Sequence, residues 1–366
     1  MRLPTYQELS KEQLEIYNLP LKGRYLVTGP PGTGKTVMAL YRAQMYAKSD
    51  IKPQLLMFNN TLKDYTQRGT EGMSIDGFVE TFHRWLWNAY PSWSGGNRPP
   101  ETRKYVYDWQ QIMPILASAS IKEKPAMLVD EGQDLPPELY TALMFIADHT
   151  TIFADENQRI TEKHNSTLGD IRSNARIKTD DELLLTRNYR NTREIAQLAR
   201  CFYVGLQTGM PDLPERSGEK PVAKRTIDMA SAADFIARYE RTNSHQSIGV
   251  LVPYRQTLIT LRRLLTQRET KNPVQFFLSG KNGSNLDFTK PGIQLLCFAS
   301  AKGLEFDTVF MPELQSLSSD LEDASTKMQL YVLLSRARDH LYLLYSGMDA
   351  PPLLNLFPDD LIDNRS

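Results

Sequence analysis

Cysteine is nearly missing from this chain: among 366 residues only two occur, Cys201 and Cys297. They sit on separate apolar segments, so they build neither a disulfide framework nor a zinc set. Two reduced, buried thiols are expected. Net charge is missing too, since Lys plus Arg and Asp plus Glu both number 43. Nucleic-acid binders carry a basic footprint, so any footprint here must be local and balanced by acidic surface elsewhere. No apolar run approaches the ~20 residues of a membrane span. The N-terminal MRLPTYQELS has no signal-peptide core, so a cytoplasmic protein with no membrane partner is expected. There is no internal repeat and no low-complexity tract. What remains is 41% hydrophobic and 23% charged residues, a composition for soluble globular domains, in a chain long enough for two of them.

What is present is alternation. Short apolar runs at Tyr25–Thr28, Gln54–Phe58, Ala126–Val129, Thr151–Ala154, Ile248–Val252, Val274–Leu278, Ile293–Phe298, Val309–Met311 and Leu341–Tyr345 read as strands. Many lack polar alternation, as strands covered on both faces do. Amphipathic segments such as Thr36–Ala47 and Asp234–Arg241 lie between them. The pattern predicts an α/β fold with mostly parallel sheets flanked by helices. Pro91–Pro100 and Gly209–Pro221 read as surface loops.

GPPGTGKT, Gly29 to Thr36, matches the phosphate-loop pattern in full, between a strand candidate and a helical segment. Gly29, Gly32 and Gly34 allow the tight turn, and with Pro30, Pro31 and Thr33 they shape a loop whose N–H groups face phosphates. The following helix N-terminus adds its positive end. Lys35 is placed to reach the β- and γ-phosphates, and the Thr36 hydroxyl to ligate Mg2+. Farther on, AMLV is followed by DEGQD, Asp130 to Asp134. A carboxylate at the carboxyl end of a buried strand lies where an open α/β sheet binds its ligand. Asp130 suits the magnesium and Glu131 the attacking water. DEGQD alone reads almost as well as a solvated acidic turn; with a complete phosphate loop upstream it does not. ATP and Mg2+ are therefore the expected ligands.

DE-x-QD at this position is what the UvrD/Rep-like superfamily 1 helicases carry, and the chain resembles that family over roughly residues 9 to 345. The resemblance implies two RecA-like P-loop domains, with ATP in the cleft between them. It sets them at 1–185 (short insertion at about 84–120) and 186–366. In LSKEQ, Gln13 stands where the family reads adenine. In FADENQRI, Gln158 stands where the family couples γ-phosphate to nucleic acid. In TRNYRN, Tyr189 corresponds to an adenine-stacking ring and Arg190 to a γ-phosphate contact. In SAKGLEFD, Glu305 falls near the ribose and Ser300 to Lys302 near the strand or the phosphates. In YVLLSRAR, Arg336 corresponds to an arginine finger, with Arg338 read as structural. Phe58 and Asn60 of LMFNNTL, and Thr81, Phe82 and His83 of TFH, resemble the strand-contacting motifs, although either Phe reads equally well as core.

The chain departs from the family in four places. No aromatic follows Gln158, Val37 stands where relatives often have Arg, the first insertion is short, and only SGKNGSNLDFTKPG separates Leu278 from Ile293 where relatives insert a large accessory domain. The resemblance implies an ATP-dependent DNA helicase or translocase acting on single-stranded DNA or tailed duplex. The alternative is a nucleic-acid-sensing ATPase switch that regulates a partner such as a nuclease, without unwinding by itself. An RNA helicase fits DEGQD and SAKGLEFD less well. A nuclease within the chain finds no spare carboxylate–lysine cluster, and the acidic runs Asp320–Asp323 and Asp359–Asp363 read as solvated surface.

Overall fold

Short, continuously apolar segments become the inner strands of two parallel sheets, one in each of two units. The computed structural model describes residues 3–58, 77–158, 165–205, 209–278, 286–288, 290–317 and 320–365. Its two units are Met1–Thr186 with Gly205–Gly209, and Arg187–Val204 with Met210–Ser366.

The first unit contains β1 (Arg24–Thr28), β2 (Pro53–Met57), β3 (Val79–Thr81), β4 (Glu101–Arg103), β5 (Val106–Tyr107), β6 (Ala126–Val129), β7 (His149–Ala154) and β8 (Glu182–Leu184). Six of them form a parallel sheet in the order β3-β2-β6-β7-β1-β8, while β4 and β5 pair with each other as an antiparallel hairpin. Its described helices are α1 (Lys11–Tyr17), α2 (Lys35–Lys48), α3 (Phe82–Trp93), α4 (Trp109–Ser118), α5 (Pro137–Ile146) and α6 (Leu168–Asn174). Leu26, Leu56, Met127, Val129 and Ile152 from the strands pack with Leu86, Ile112, Leu139 and Leu143 from the helices. Register then fixes the site: Thr28 is level with Ala154 and Val129 with Ile152. The residues that follow β1, β6 and β7 therefore emerge along one edge of the sheet.

The second unit contains β9 (Val222–Arg225), β10 (Ser247–Val252), β11 (Gln275–Phe276), β12 (Gly292–Cys297), β13 (Phe306–Met311), β14 (Ala337–Tyr345) and β15 (Asp363–Arg365). They form a parallel sheet in the order β11-β12-β10-β13-β14-β9-β15. Its described helices are α7 (Arg193–Arg200), α8 (Met229–Thr242), α9 (Arg255–Thr266) and α10 (Ala324–Leu334). Val250, Leu295, Phe310 and Leu344 meet Ile236, Leu258 and Leu261 in the core. Each unit is a mostly parallel sheet flanked by helices, the RecA-like arrangement.

Three expectations change. The strand expected over Val274–Leu278 is the two-residue β11. The loop expected from Pro91 begins later, because α3 continues to Trp93. Cys201 is exposed rather than buried, capping the C-terminus of α7, and Cys297 is half-buried.

Candidate nucleotide site and its partner motifs

The phosphate loop follows β1 and ends in α2, whose N-cap, Gly34, has φ of 93°. That conformation costs glycine little and other residues more. A Cβ on Gly34 would also lie 2.6 Å from the Gln13 Nε2. The loop is braced from inside: the Thr33 hydroxyl donates to the Pro30 carbonyl at 2.9 Å. Gln13 braces it from α1, donating from Nε2 to the Thr33 carbonyl at 3.1 Å while its Oε1 accepts the Ser10 N–H at 3.1 Å. The residue expected to read adenine thus also holds the loop, and it keeps one N–H and one lone pair to spend elsewhere.

Lys35 Nζ donates to the carbonyls of Gly29 at 2.5 Å and Pro30 at 3.0 Å, and lies 3.8 Å from the Asp155 carboxylate. Across the same sheet edge, the Thr36 hydroxyl donates to the Asp130 carboxylate at 2.7 Å. Asp130 is fully buried, and burial pushes its pKa up to about 7, assisted by the neighbouring Glu131 charge and opposed by Thr36 and Lys35. A hydroxyl and a buried carboxylate, both hard oxygen donors, suit Mg2+, which usually takes few protein ligands and keeps several waters. Its charge would offset the burial cost that Asp130 carries alone.

Glu131 has φ of 53°, a left-handed conformation uncommon outside glycine. Gly132 follows because the backbone runs close against β7: a Cβ there would lie 2.8 Å from Ile152 Cγ2. Gln133 then turns back. Its Nε2 donates to the Glu131 carboxylate at 2.5 Å, and its Oε1 accepts the Asp155 N–H at 2.8 Å. Asp155 in turn accepts from Gln158 Nε2 at 2.8 Å and from the Asn157 N–H at 3.0 Å. Burial raises the Asp155 pKa, partly offset by Lys35 and Gln158. The structure therefore brings together Gln13, Lys35, Thr36, Asp130, Glu131 and Gln158 and adds two residues that sequence reasoning passed over. Gln133 lies inside the quoted DE-x-QD pattern without a role. Asp155 stands at the carboxyl end of β7, the same position relative to its strand that singled out Asp130.

The strand-contacting set is more scattered. Phe58, just past β2, is 39% exposed, and Asn60 lies outside the described residues. Thr81 ends β3 and is buried. Phe82 takes the core alternative left open for it: it is 1% exposed and packs in the first unit's core, with the Trp109 ring stacked 6.3 Å away. His83 is half-buried, its Nδ1 3.2 Å from the Tyr107 hydroxyl, and burial lowers its pKa.

In the second unit the three remaining motifs meet one another. Phe306 pairs with Ala337, so Glu305 and Arg336 enter β13 and β14 side by side. Arg190 Nε donates to Glu305 at 2.9 Å. Burial works to raise the Glu305 pKa, but the Arg190 and Arg338 guanidiniums outweigh it and hold the carboxyl below its ordinary value. Arg336 donates to the carbonyls of Val332 at 2.8 Å and Leu304 at 3.2 Å, and to the Ser335 hydroxyl at 3.3 Å. The TRNYRN turn is self-braced: Asn188 Oδ1 accepts the Arg190 N–H at 2.9 Å, and Asn188 Nδ2 donates to Asn191 Oδ1 at 2.8 Å. Asn191 reaches the Ser335 carbonyl at 3.0 Å. Tyr189 is left 42% exposed, with the Arg187 guanidinium 5.4 Å from its ring centre. Ser300 is half-buried in the turn after β12.

Among the described residues no helix is long and apolar enough to cross a membrane. Residues 14–163 match the family described as an AAA domain. A protein of Acanthamoeba polyphaga mimivirus, named provisionally as an ATP-dependent DNA helicase, is 27% identical over 238 residues. That stretch is 59% of this chain and 34% of the viral protein, so the chain spans about a third of that relative's length. Among solved structures, the C-terminal domain of a possible DNA helicase from Lactobacillus plantarum is 21% identical, with a TM-score of 0.37. The match covers 48% of this chain and 98% of that domain.

Proposed function

We propose that this chain, which belongs to the UvrD/Rep-like superfamily 1 helicase family, hydrolyses ATP to ADP and phosphate and couples hydrolysis to movement on single-stranded DNA. One observation carries the reading. The phosphate loop, the Thr36–Asp130 pair and Glu131 emerge from β1 and β6 along one sheet edge, with Gln133 and Asp155 tying them together.

In this reading the loop N–H groups and Lys35 hold the phosphates, and Thr36 and Asp130 hold Mg2+, which neutralises phosphate charge when bound. Glu131 takes the proton of the attacking water as its oxygen bonds the γ-phosphorus and the bond to the β–γ bridging oxygen breaks. ADP departs with that electron pair. Gln158 and Arg190 respond to the γ-phosphate, Arg336 stabilises the charge that spreads during transfer, and Tyr189 stacks on adenine. Glu305 orients Arg190. The name of the mimivirus relative specifies DNA and ATP, and both are carried to this chain as part of the proposal.

The test is steady-state ATP hydrolysis by the full chain, with and without single-stranded DNA, beside a fork-unwinding assay. DNA-stimulated hydrolysis with unwinding supports a self-sufficient motor. DNA-stimulated hydrolysis without unwinding makes it a nucleic-acid-sensing ATPase. Absence of hydrolysis, or hydrolysis unaffected by Lys35→Ala and by Glu131→Gln, overturns the site assignment.

A further inference from the structure

We infer that the β4–β5 hairpin and the adjoining face of α3 form a stacking surface for single-stranded nucleic acid, extending from His83 of TFH to residues that no motif of the family resemblance includes. The inference rests on the motor reading above and adds to it the place where bases are held.

The chain has no net charge, so a nucleic-acid footprint must be local, and the hairpin with α3 gathers several aromatic rings and cations at the surface. Tyr105, at the hairpin turn, is 55% exposed, and Trp87 on α3 is 36% exposed. The Lys104 Nζ lies 5.1 Å from the Tyr105 ring centre, and the Arg98 guanidinium 5.5 Å from that of Trp87. Arg103 on the hairpin is exposed, as is Arg84, whose Nε lies 3.4 Å from the Glu80 carboxylate.

The His83, Tyr105 and Tyr107 rings form one connected group. His83 and Trp87 are four residues apart, hence on one face of α3. The Tyr107 hydroxyl lies 3.2 Å from His83 Nδ1. The Tyr105 ring lies 4.9 Å from the His83 ring, tilted by 38°. Tyr105 holds its position with φ of 65°, in the left-handed region, while its N–H donates to the Glu101 carboxylate at 3.1 Å. A bulky residue held there and left open to solvent gains nothing from core packing. Such a conformation persists where the surroundings impose it and where it serves a purpose. Exposed rings with cations close to them suit bases on a phosphate backbone, because every base has a face to stack and every linkage a negative charge.

The experiment is a fluorescence-anisotropy titration of the full chain with labelled oligo-dT and oligo-rU, for the unaltered protein, Tyr105→Asn and Lys104→Glu. Asn tolerates the left-handed backbone, so Tyr105→Asn removes the ring without demanding a new turn, and thermal melting checks that each variant is folded. Loss of one stacking partner should weaken binding about tenfold. Lys104→Glu should weaken it and flatten its dependence on salt. An oligonucleotide carrying 5-iodouracil should cross-link within residues 103–107. If the unaltered chain binds while both variants bind equally well and the cross-link falls elsewhere, the hairpin assignment fails and the motor reading stands. If the unaltered chain binds neither oligonucleotide, both fail. Preference between dT and rU identifies which nucleic acid the surface takes.

Discussion

Both carboxylate oxygens of Glu12 are taken by Thr186, one accepting its N–H at 2.9 Å and the other its hydroxyl at 2.7 Å. Glu12 precedes Gln13, whose amide holds the phosphate loop at Thr33. Thr186 lies just beyond β8, which pairs with β1. The short helix α1 is thereby clasped on one side to the nucleotide loop and on the other to the end of the first unit. Two hydrogen bonds to a charged, part-buried group are worth about 1.5–3 kcal/mol each at most. Glu12→Ala should lower the melting temperature by several degrees and raise the KM for ATP by displacing Gln13, with Glu12→Gln recovering part of both. An unchanged KM in Glu12→Ala would mean that α1 holds the loop without the clasp.

Gln133 offers a sharper test of the hydrolytic site. Its two amide atoms bridge Glu131 and the Asp155 N–H. Gln133→Leu keeps the bulk and removes both bonds, leaving the Glu131 carboxylate in a left-handed backbone without its amide partner. Misplacing a reacting group by about 1 Å can cost on the order of 100-fold in rate. Expected is a fall in kcat of roughly tenfold or more, with ATP affinity nearly unchanged. A matching loss of affinity and kcat would assign Gln133 to loop stability instead.

Much of the nucleotide site could be read in the sequence because its chemistry is local. Eight consecutive residues make the phosphate loop, and four apolar residues before Asp130 announce where the carboxylate emerges. What escaped depends on tertiary placement. Phe82 heads an apolar stripe with Trp85, Leu86 and Ala89 at helical spacing, a core signal that competes with its place in TFH, whereas nothing near Tyr105 in sequence tells that it stands in solvent. The hairpin strand Glu101–Arg103 is exposed throughout, so it carries no apolar signal. The short edge strand Asp363–Arg365 was equally silent, because an edge strand needs little apolar surface, whereas Glu182–Leu184 leads into a run of three leucines that was not read as a strand. Gln133 stood within the quoted pattern, but its role requires β6 and β7 to be neighbours, which only the sheet order reveals.

The Arg190–Glu305 pair predicts a pH dependence whose sign follows from its cause. The two guanidiniums lower the folded-state pKa of Glu305 below its ordinary 4.5. A depressed carboxyl contributes stability above the unfolded pKa and loses it as pH falls through the folded one. Glu305→Gln should therefore melt below the unaltered chain at neutral pH, with the gap closing as pH drops below about 4.5. A gap that persists at pH 2 would show that the amide disrupts packing rather than removing a charge.

Close packing around Gly249 holds the start of β13, and with it Glu305, in place. Gly249 sits in β10, flanked by β12 and β13. A Cβ there would lie 2.4 Å from Phe306 Cδ2 and 2.6 Å from Cγ. Phe306 is buried and follows Glu305 directly, and its N–H donates to the Arg336 carbonyl at 3.0 Å. Gly249→Ala must push the ring aside, and overpacking of this kind costs about 1–3 kcal/mol. The displaced ring would carry the start of β13 with it, so ATP hydrolysis should fall along with the melting temperature. Phe306→Leu in the same background makes room, and the double variant should be more stable than the sum of the single changes predicts. Strict additivity would mean that the strand shifts as a whole and that Phe306 is not what excludes a side chain at position 249.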